Sequence, residues 1–120
     1  MENVMLVLTD KKIFIASKPI DFRMSIDGIS SLIQNYLGFK SWIHDGSIYV
    51  FYNRSQNKIK CLFWDKNGFV LYYKRLEGTK FKVNNLKEDI QNLTIEQLDS
   101  LLLGLDPVNT VNKNILQQVS

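Results

Sequence analysis

Cysteine is nearly absent from this sequence. Cys61 stands alone, so no disulfide can close within the chain, and a reducing compartment suits it. Histidine is as scarce: His44 is the single one. One His, one Cys and dispersed acids do not make the three- or four-ligand set that a metal centre requires. There is no Gly-rich phosphate loop, no G-x-S-x-G elbow and no P-loop lysine. No apolar run approaches the roughly 20 residues that span a bilayer. The opening residues 1–8 are apolar but lack the basic start and small-residue cleavage site of a signal peptide. Together these absences predict a cytoplasmic protein that is not an enzyme and has neither cofactor nor metal.

What is present has the proportions of one soluble domain: 120 residues, 45% hydrophobic, 22% charged, enough for one modest core. The expected domain covers residues 1–106, followed by a polar, Asn- and Gln-rich tail over 107–120. The formal charge is only +3, but its distribution is lopsided. Before residue 53 and after residue 82, acids balance or exceed bases. Between them lie Arg54, Lys58, Lys60, Lys66, Lys74, Arg75, Lys80 and Lys82 against Asp65 and Glu77 alone.

That basic stretch is also the most strand-like. Residues 48–52, 58–64 and 69–76 are rich in aromatic and β-branched residues and are separated by two polar clusters, the pattern of a three-stranded antiparallel meander. Asp65-Lys66-Asn67-Gly68 is a turn signal, because Asn and Gly tolerate positive φ. A loop over 65–68 sets Trp64 opposite Phe69, Leu62 opposite Leu71, Lys60 opposite Tyr73 and Lys58 opposite Arg75. A five-residue loop over 53–57 would set Tyr52 opposite Lys58 and Val50 opposite Lys60. Alternation then puts Tyr52, Lys58, Lys60, Tyr73 and Arg75 on one basic face. Tyr49, Phe51, Ile59, Cys61, Phe63, Val70 and Tyr72 fall on an apolar one, with Lys74 near its edge. A one-residue slip would exchange the faces.

Around the meander, residues 12–17 read as a short strand ending before Pro19. Asp21 is a candidate helix N-cap. Phe22, Ile26, Ile29, Leu32, Ile33, Tyr36 and Leu37 form one stripe of an amphipathic helix that Gly38 can end. Gly28 inside it suggests close approach to the sheet. Trp42 and Ile43 are expected to fold back onto the core. Residues 80–83 could add a strand, and 84–92 fit either helix or linker. Thr94-Ile95-Glu96-Gln97 reads as a capping box opening a short helix with Leu98, Leu101 and Leu102, closed by Gly104. The fold class expected is α+β: an antiparallel meander of four to five strands, one amphipathic helix packed on it and a short C-terminal helix.

Basic side chains neutralise phosphates and aromatic faces stack on unpaired bases. Arg54, Lys58, Lys60, Lys74 and Arg75 are therefore candidate DNA contacts, and Tyr52, Trp64 and Tyr73 candidate stacking or partner-contact residues. The structural alternative makes Trp64 and Phe69 a cross-strand pair in a small core, with the tyrosines covering the sheet. A metal-dependent nuclease would need carboxylates converging on a shared metal pair, whereas Asp21, Asp27, Asp45 and Asp65 are spread over a cap, a helix, a loop and a turn.

Pro19-Ile20-Asp21-Phe22-Arg23 with Asp27-Gly28, then Phe51-Tyr52-Asn53-Arg54, Lys58-Ile59-Lys60, Phe63-Trp64-Asp65, Gly68-Phe69 and Tyr73-Lys74-Arg75-Leu76-Glu77-Gly78, resemble the TnpB-type accessory proteins of the IS-sixty-six family of bacterial insertion sequences. These are not the RNA-guided nucleases that share the name. The resemblance covers residues 12–106. It departs where the family has Trp-Pro after its last Gly-x-F, since Phe81 is followed here by Lys82-Val83. It implies a non-catalytic helper of DNA transposition, encoded beside a larger transposase, with that transposase and insertion-sequence ends as the expected partners. The alternative is a protein–protein adaptor that docks on the transposase or self-associates.

Overall fold

The computed structural model describes residues 11–16, 18–35, 45–83 and 90–107. The expectations for residues 1–8, for Gly38, Trp42, Ile43 and His44, and for the tail beyond 107 fall outside the described residues. In chain order the elements are β1 (Ile13–Ala16), α1 (Ile26–Asn35), β2 (Ile48–Tyr52), β3 (Lys58–Asp65), β4 (Gly68–Arg75), β5 (Ile90–Leu93) and α2 (Ile95–Leu102). The strands form one sheet in the order β4-β3-β2-β1-β5. The fold is α+β, as the sequence predicts. The sheet is mixed, however: β1 and β2 run parallel, while the other pairs are antiparallel. The helix between β1 and β2 brings the chain back to the starting end of the sheet, and a crossover of that kind makes neighbours parallel. No strand forms over 80–83; the fifth strand comes from 90–93, too short to show a period.

The β3–β4 register is the expected one, from Lys58 opposite Arg75 to Asp65 opposite Gly68. The β2–β3 register is not. Phe51 pairs with Lys60, Tyr52 with Ile59 and Val50 with Cys61. Asn53 sets this. Its Oδ1 accepts from the backbone N–H of Asn57 and of Lys58, both at 3.0 Å, its Nδ2 donates to Asn57 Oδ1 at 2.7 Å, and its own N–H donates to Lys58 O at 3.2 Å. Asn53 is thereby drawn into the ladder opposite Lys58. Gln56 takes φ of 60° inside the loop, a cost of about 1–2 kcal/mol for a side-chain-bearing residue that the hydrogen bonds around it offset.

One residue of slip moves β2 over relative to β3. Tyr49 and Phe51 join Leu62 and Ala16 on one side, where α1 buries Ile29 and Ile33 against them. Val50 and Tyr52 join Ile59, Cys61 and Phe63 on the other, under α2's Leu98, Leu101 and Leu102 and under Phe81 and Val83. Both faces of the sheet are therefore covered, each Ile or Leu buried there contributing about 1.5–3 kcal/mol.

The helix ends follow local chemistry. Ser25, not Asp21, caps α1: Ser25 Oγ accepts from the Gly28 N–H at 3.3 Å. Asp21 instead closes the turn before it. Its carboxylate accepts from the Arg23 backbone N–H at 2.9 Å and from the guanidinium at 2.7 Å, while its carbonyl accepts from Met24 N–H. A Cβ on Gly28 would sit 3.6 Å from Met24, so this glycine is not required by close approach to the sheet. In α2 the capping box is complete: Gln97 N–H donates to Thr94 Oγ1 at 3.1 Å, and Thr94 N–H to Gln97 Oε1 at 2.8 Å. Gly104, at φ 84°, turns the chain after the helix. Burial pushes the Cys61 thiol up to about 12, so it stays protonated in the core.

Lys60 shows what the register does. It is 8% exposed, its Nζ donates to Phe22 O at 2.8 Å and Met24 O at 3.3 Å, and it lies 4.9 Å from the Phe22 ring centroid. Burial pulls its pKa below the ordinary lysine range, and the Asp21 carboxylate works against that shift. The ammonium fastens the turn before α1 to the sheet. Lys60→Met keeps the volume but leaves two carbonyls without their donor, and should cost about 1–3 kcal/mol in urea denaturation. The Asp21 carboxyl is held at about 2, below its ordinary 3.8, first by the side-chain hydrogen bonds from Arg23. A depressed carboxylate supports the fold above 3.8 and withdraws that support as pH falls through about 2. Titration of the Asp21 carboxyl by NMR should give that midpoint, and Arg23→Ala should return it toward 3.8.

Candidate nucleic-acid interface

The eight residues expected to share a DNA-binding role are divided by the structure. Lys58, Lys60, Tyr73 and Arg75 do lie on one side of β3 and β4, but α1 packs on that side, over Tyr49, Phe51 and Leu62. Lys60 is spent there. Tyr52 is buried on the opposite side, in the α2 core, because of the β2–β3 register. Lys74 also points to that side: its Nζ donates to Leu102 O at 2.7 Å, where a cation at a helix C-terminus neutralises the end carbonyls. Trp64 and Phe69 pack edge to face, ring centroids 5.0 Å apart. Tyr73, 46% exposed, lies 6.3 Å from the Phe22 ring. The joint basic-aromatic face is replaced by separate structural uses of Lys60, Lys74 and Tyr52.

The cations that remain outside collect at one end of the sheet. Three segments meet there: residues 18–23 after β1, the β2–β3 loop, and residues 76–82 after β4. Backbone bonds lash them together. Ile20 N–H donates to Tyr52 O at 3.0 Å, Leu76 N–H to Asn57 O at 2.8 Å and Phe81 N–H to Gln56 O at 2.7 Å. Lys18, Arg23, Arg54, Arg75, Lys80 and Lys82 are exposed at this end, and Lys58 is half-buried. The carboxylates that these three segments carry are both already paired, Asp21 with Arg23 at 2.7 Å and Glu77 with Arg75 at 2.8 Å. Two clefts flank the β2–β3 loop. One, of about 280 Å³, is lined by Pro19, Ile20, Asp21 and Arg54; the other, of about 320 Å³, runs from Ser55 and Asn57 to Thr79 and Lys80.

Sequence reasoning picked out Arg54, Lys58 and Arg75 of this set as contacts and missed Lys18, Arg23, Lys80 and Lys82. The signal for Lys80 and Lys82 was positional, since they leave β4 at the end where the meander already places the β2–β3 loop; Lys18 and Arg23 reach that end only because β1 runs parallel to β2. Among the described residues, no three His, Cys, Asp or Glu side chains come together to hold a metal ion. No described helix is long and apolar enough to cross a membrane.

The family profile described as IS66 Orf2 like protein matches residues 11–112. A relative in Sinorhizobium fredii, described as uncharacterized protein y4jC, is 30% identical over 95 residues, covering 79% of this chain and 80% of that one. No solved structure matches. The matched region contains every described strand and helix, and the chain belongs to the IS66 Orf2 like proteins, a family of insertion-sequence accessory proteins.

Proposed function

We propose that this insertion-sequence accessory protein binds DNA through the cations at one end of its sheet, without catalysing a reaction itself. The observation that carries the reading is the unbalanced charge of that end. In the three segments that meet there, the carboxylates of Asp21 and Glu77 are engaged by Arg23 and Arg75, while Lys18, Arg54, Lys80 and Lys82 have no ion pair among the described residues. Cations grouped on rigidly joined loops concentrate positive potential where a phosphate backbone can approach. Phosphate contacts fix position and carry little base information, so discrimination between sequences from these groups is weak.

The adaptor reading rests on a different place. Beyond the edge of α1, Phe22, Trp64, Phe69 and Leu71 are half-buried beside exposed Tyr73, an apolar-aromatic strip where a transposase or a second copy could dock.

Arg54→Ala, Lys80→Ala and Lys82→Ala combined should weaken binding to an insertion-sequence-end duplex about tenfold or more. The slope of log K against log salt should become shallower by roughly two to three units, near 0.9 per lost contact. Urea stability should stay close to the parent's. Unchanged affinity and slope would reject the reading. Pull-down of the transposase in the presence of nuclease tests the adaptor: retention by the parent and loss with Leu71→Ser and Tyr73→Ser together would support it, and no retention by the parent would reject it.

A further inference from the structure

The larger cleft at the basic end is lined by Ser55, Asn57, Glu77, Gly78, Thr79 and Lys80. Its walls are held on both sides, because Leu76 and Phe81 donate their N–H groups to the β2–β3 loop carbonyls. The residues between them form a strap anchored at each end. Along that strap the backbone N–H groups of Gly78, Thr79 and Lys80 have no acceptor among the described residues, and neither do the hydroxyls of Ser55 and Thr79. Gly78 stands at φ 76°, and a Cβ built there would meet nothing within 4 Å. Backbone conformation, not crowding, favours glycine at this point. Successive N–H groups around a left-handed residue make a concavity suited to an anion. The one carboxylate on the rim, Glu77, accepts from Arg75 Nε at 2.8 Å, so its charge is opposed locally, and the Lys80 ammonium adds a further cation.

We propose that this notch is a binding site for a single phosphate group, held by the Gly78, Thr79 and Lys80 N–H groups, the Ser55 and Thr79 hydroxyls and the Lys80 ammonium. The inference rests on the DNA-binding reading above and narrows it: the notch fixes the position of one backbone phosphate, and the surrounding cations supply unspecific attraction. A notch with directional donors tells phosphate from chloride at equal ionic strength, which a patch of solvated lysines does not.

The test is an amide NMR titration of the full chain with inorganic phosphate, exchanged against chloride at constant ionic strength, followed by a short duplex. The notch predicts saturable shifts centred on Gly78, Thr79 and Lys80. It also predicts that Ser55→Ala with Thr79→Val weakens phosphate binding about tenfold, a change of 1.4 kcal/mol, without altering the parent spectrum elsewhere. Shifts spread evenly over all the exposed cations, or absent from those three amides, would overturn it. The two ideas fail separately. Duplex binding without shifts at the three amides overturns the notch and leaves the DNA reading standing. Phosphate shifts there with no duplex binding overturn the DNA reading and leave the notch.

Discussion

The structure depends on Asn53. Its side-chain amide spans the β2–β3 loop, accepting from two backbone N–H groups and donating to Asn57, and so decides which residue of β2 meets which of β3. Because side chains alternate along a strand, that one choice assigns each of them to a side of the sheet. The same loop offers the Gln56 and Asn57 carbonyls to Phe81 and Leu76. Register, the path of the chain after β4 and the assembly of the basic end therefore trace to one local hydrogen-bond arrangement.

With the register set, the sheet has two covered faces instead of one apolar and one open. This changes what a lysine in a strand means. Lys60 and Lys74 both lie in strands, and each sends its ammonium to backbone carbonyls of the helical layer on its own side: Phe22 and Met24 before α1, Leu102 at the end of α2. Each uses a long aliphatic stem to cross apolar surface and a charged head to satisfy acceptors that helix termini and turns leave over. Arg54, Lys80 and Lys82, which make no ion pair among the described residues, sit in loops.

Much of this was legible in the sequence where local chemistry decides. The Thr94–Gln97 capping box, the left-handed Gly104, the β3–β4 hairpin and the Ile29–Ile33 stripe all follow from residues close to one another in the chain. The errors came where side chains overrode counting. A five-residue loop over 53–57 was the natural reading of a polar cluster, and nothing in the composition reveals that Asn53 joins the ladder. Asp21 had the identity of a cap, but Arg23 two residues on claimed its carboxylate for a turn and left capping to Ser25. β5 has four residues and no readable period, and its place beside β1 is a tertiary fact. Counting along the strands makes the pleat the organiser of the basic residues, whereas the common end of three loops gathers those that stay exposed.

The central claim is the β2–β3 register, and a direct check is the pattern of interstrand Hα–Hα contacts in a nuclear Overhauser spectrum, since directly opposed residues in the non-hydrogen-bonded positions of an antiparallel pair approach most closely. The account predicts cross-peaks between Tyr52 and Ile59 and between Val50 and Cys61, the pairs observed here. Cross-peaks joining Tyr52 to Lys58 and Val50 to Lys60 would contradict it, returning Lys60 to a shared face with Tyr52 and undoing the assignment of charge to the end of the sheet.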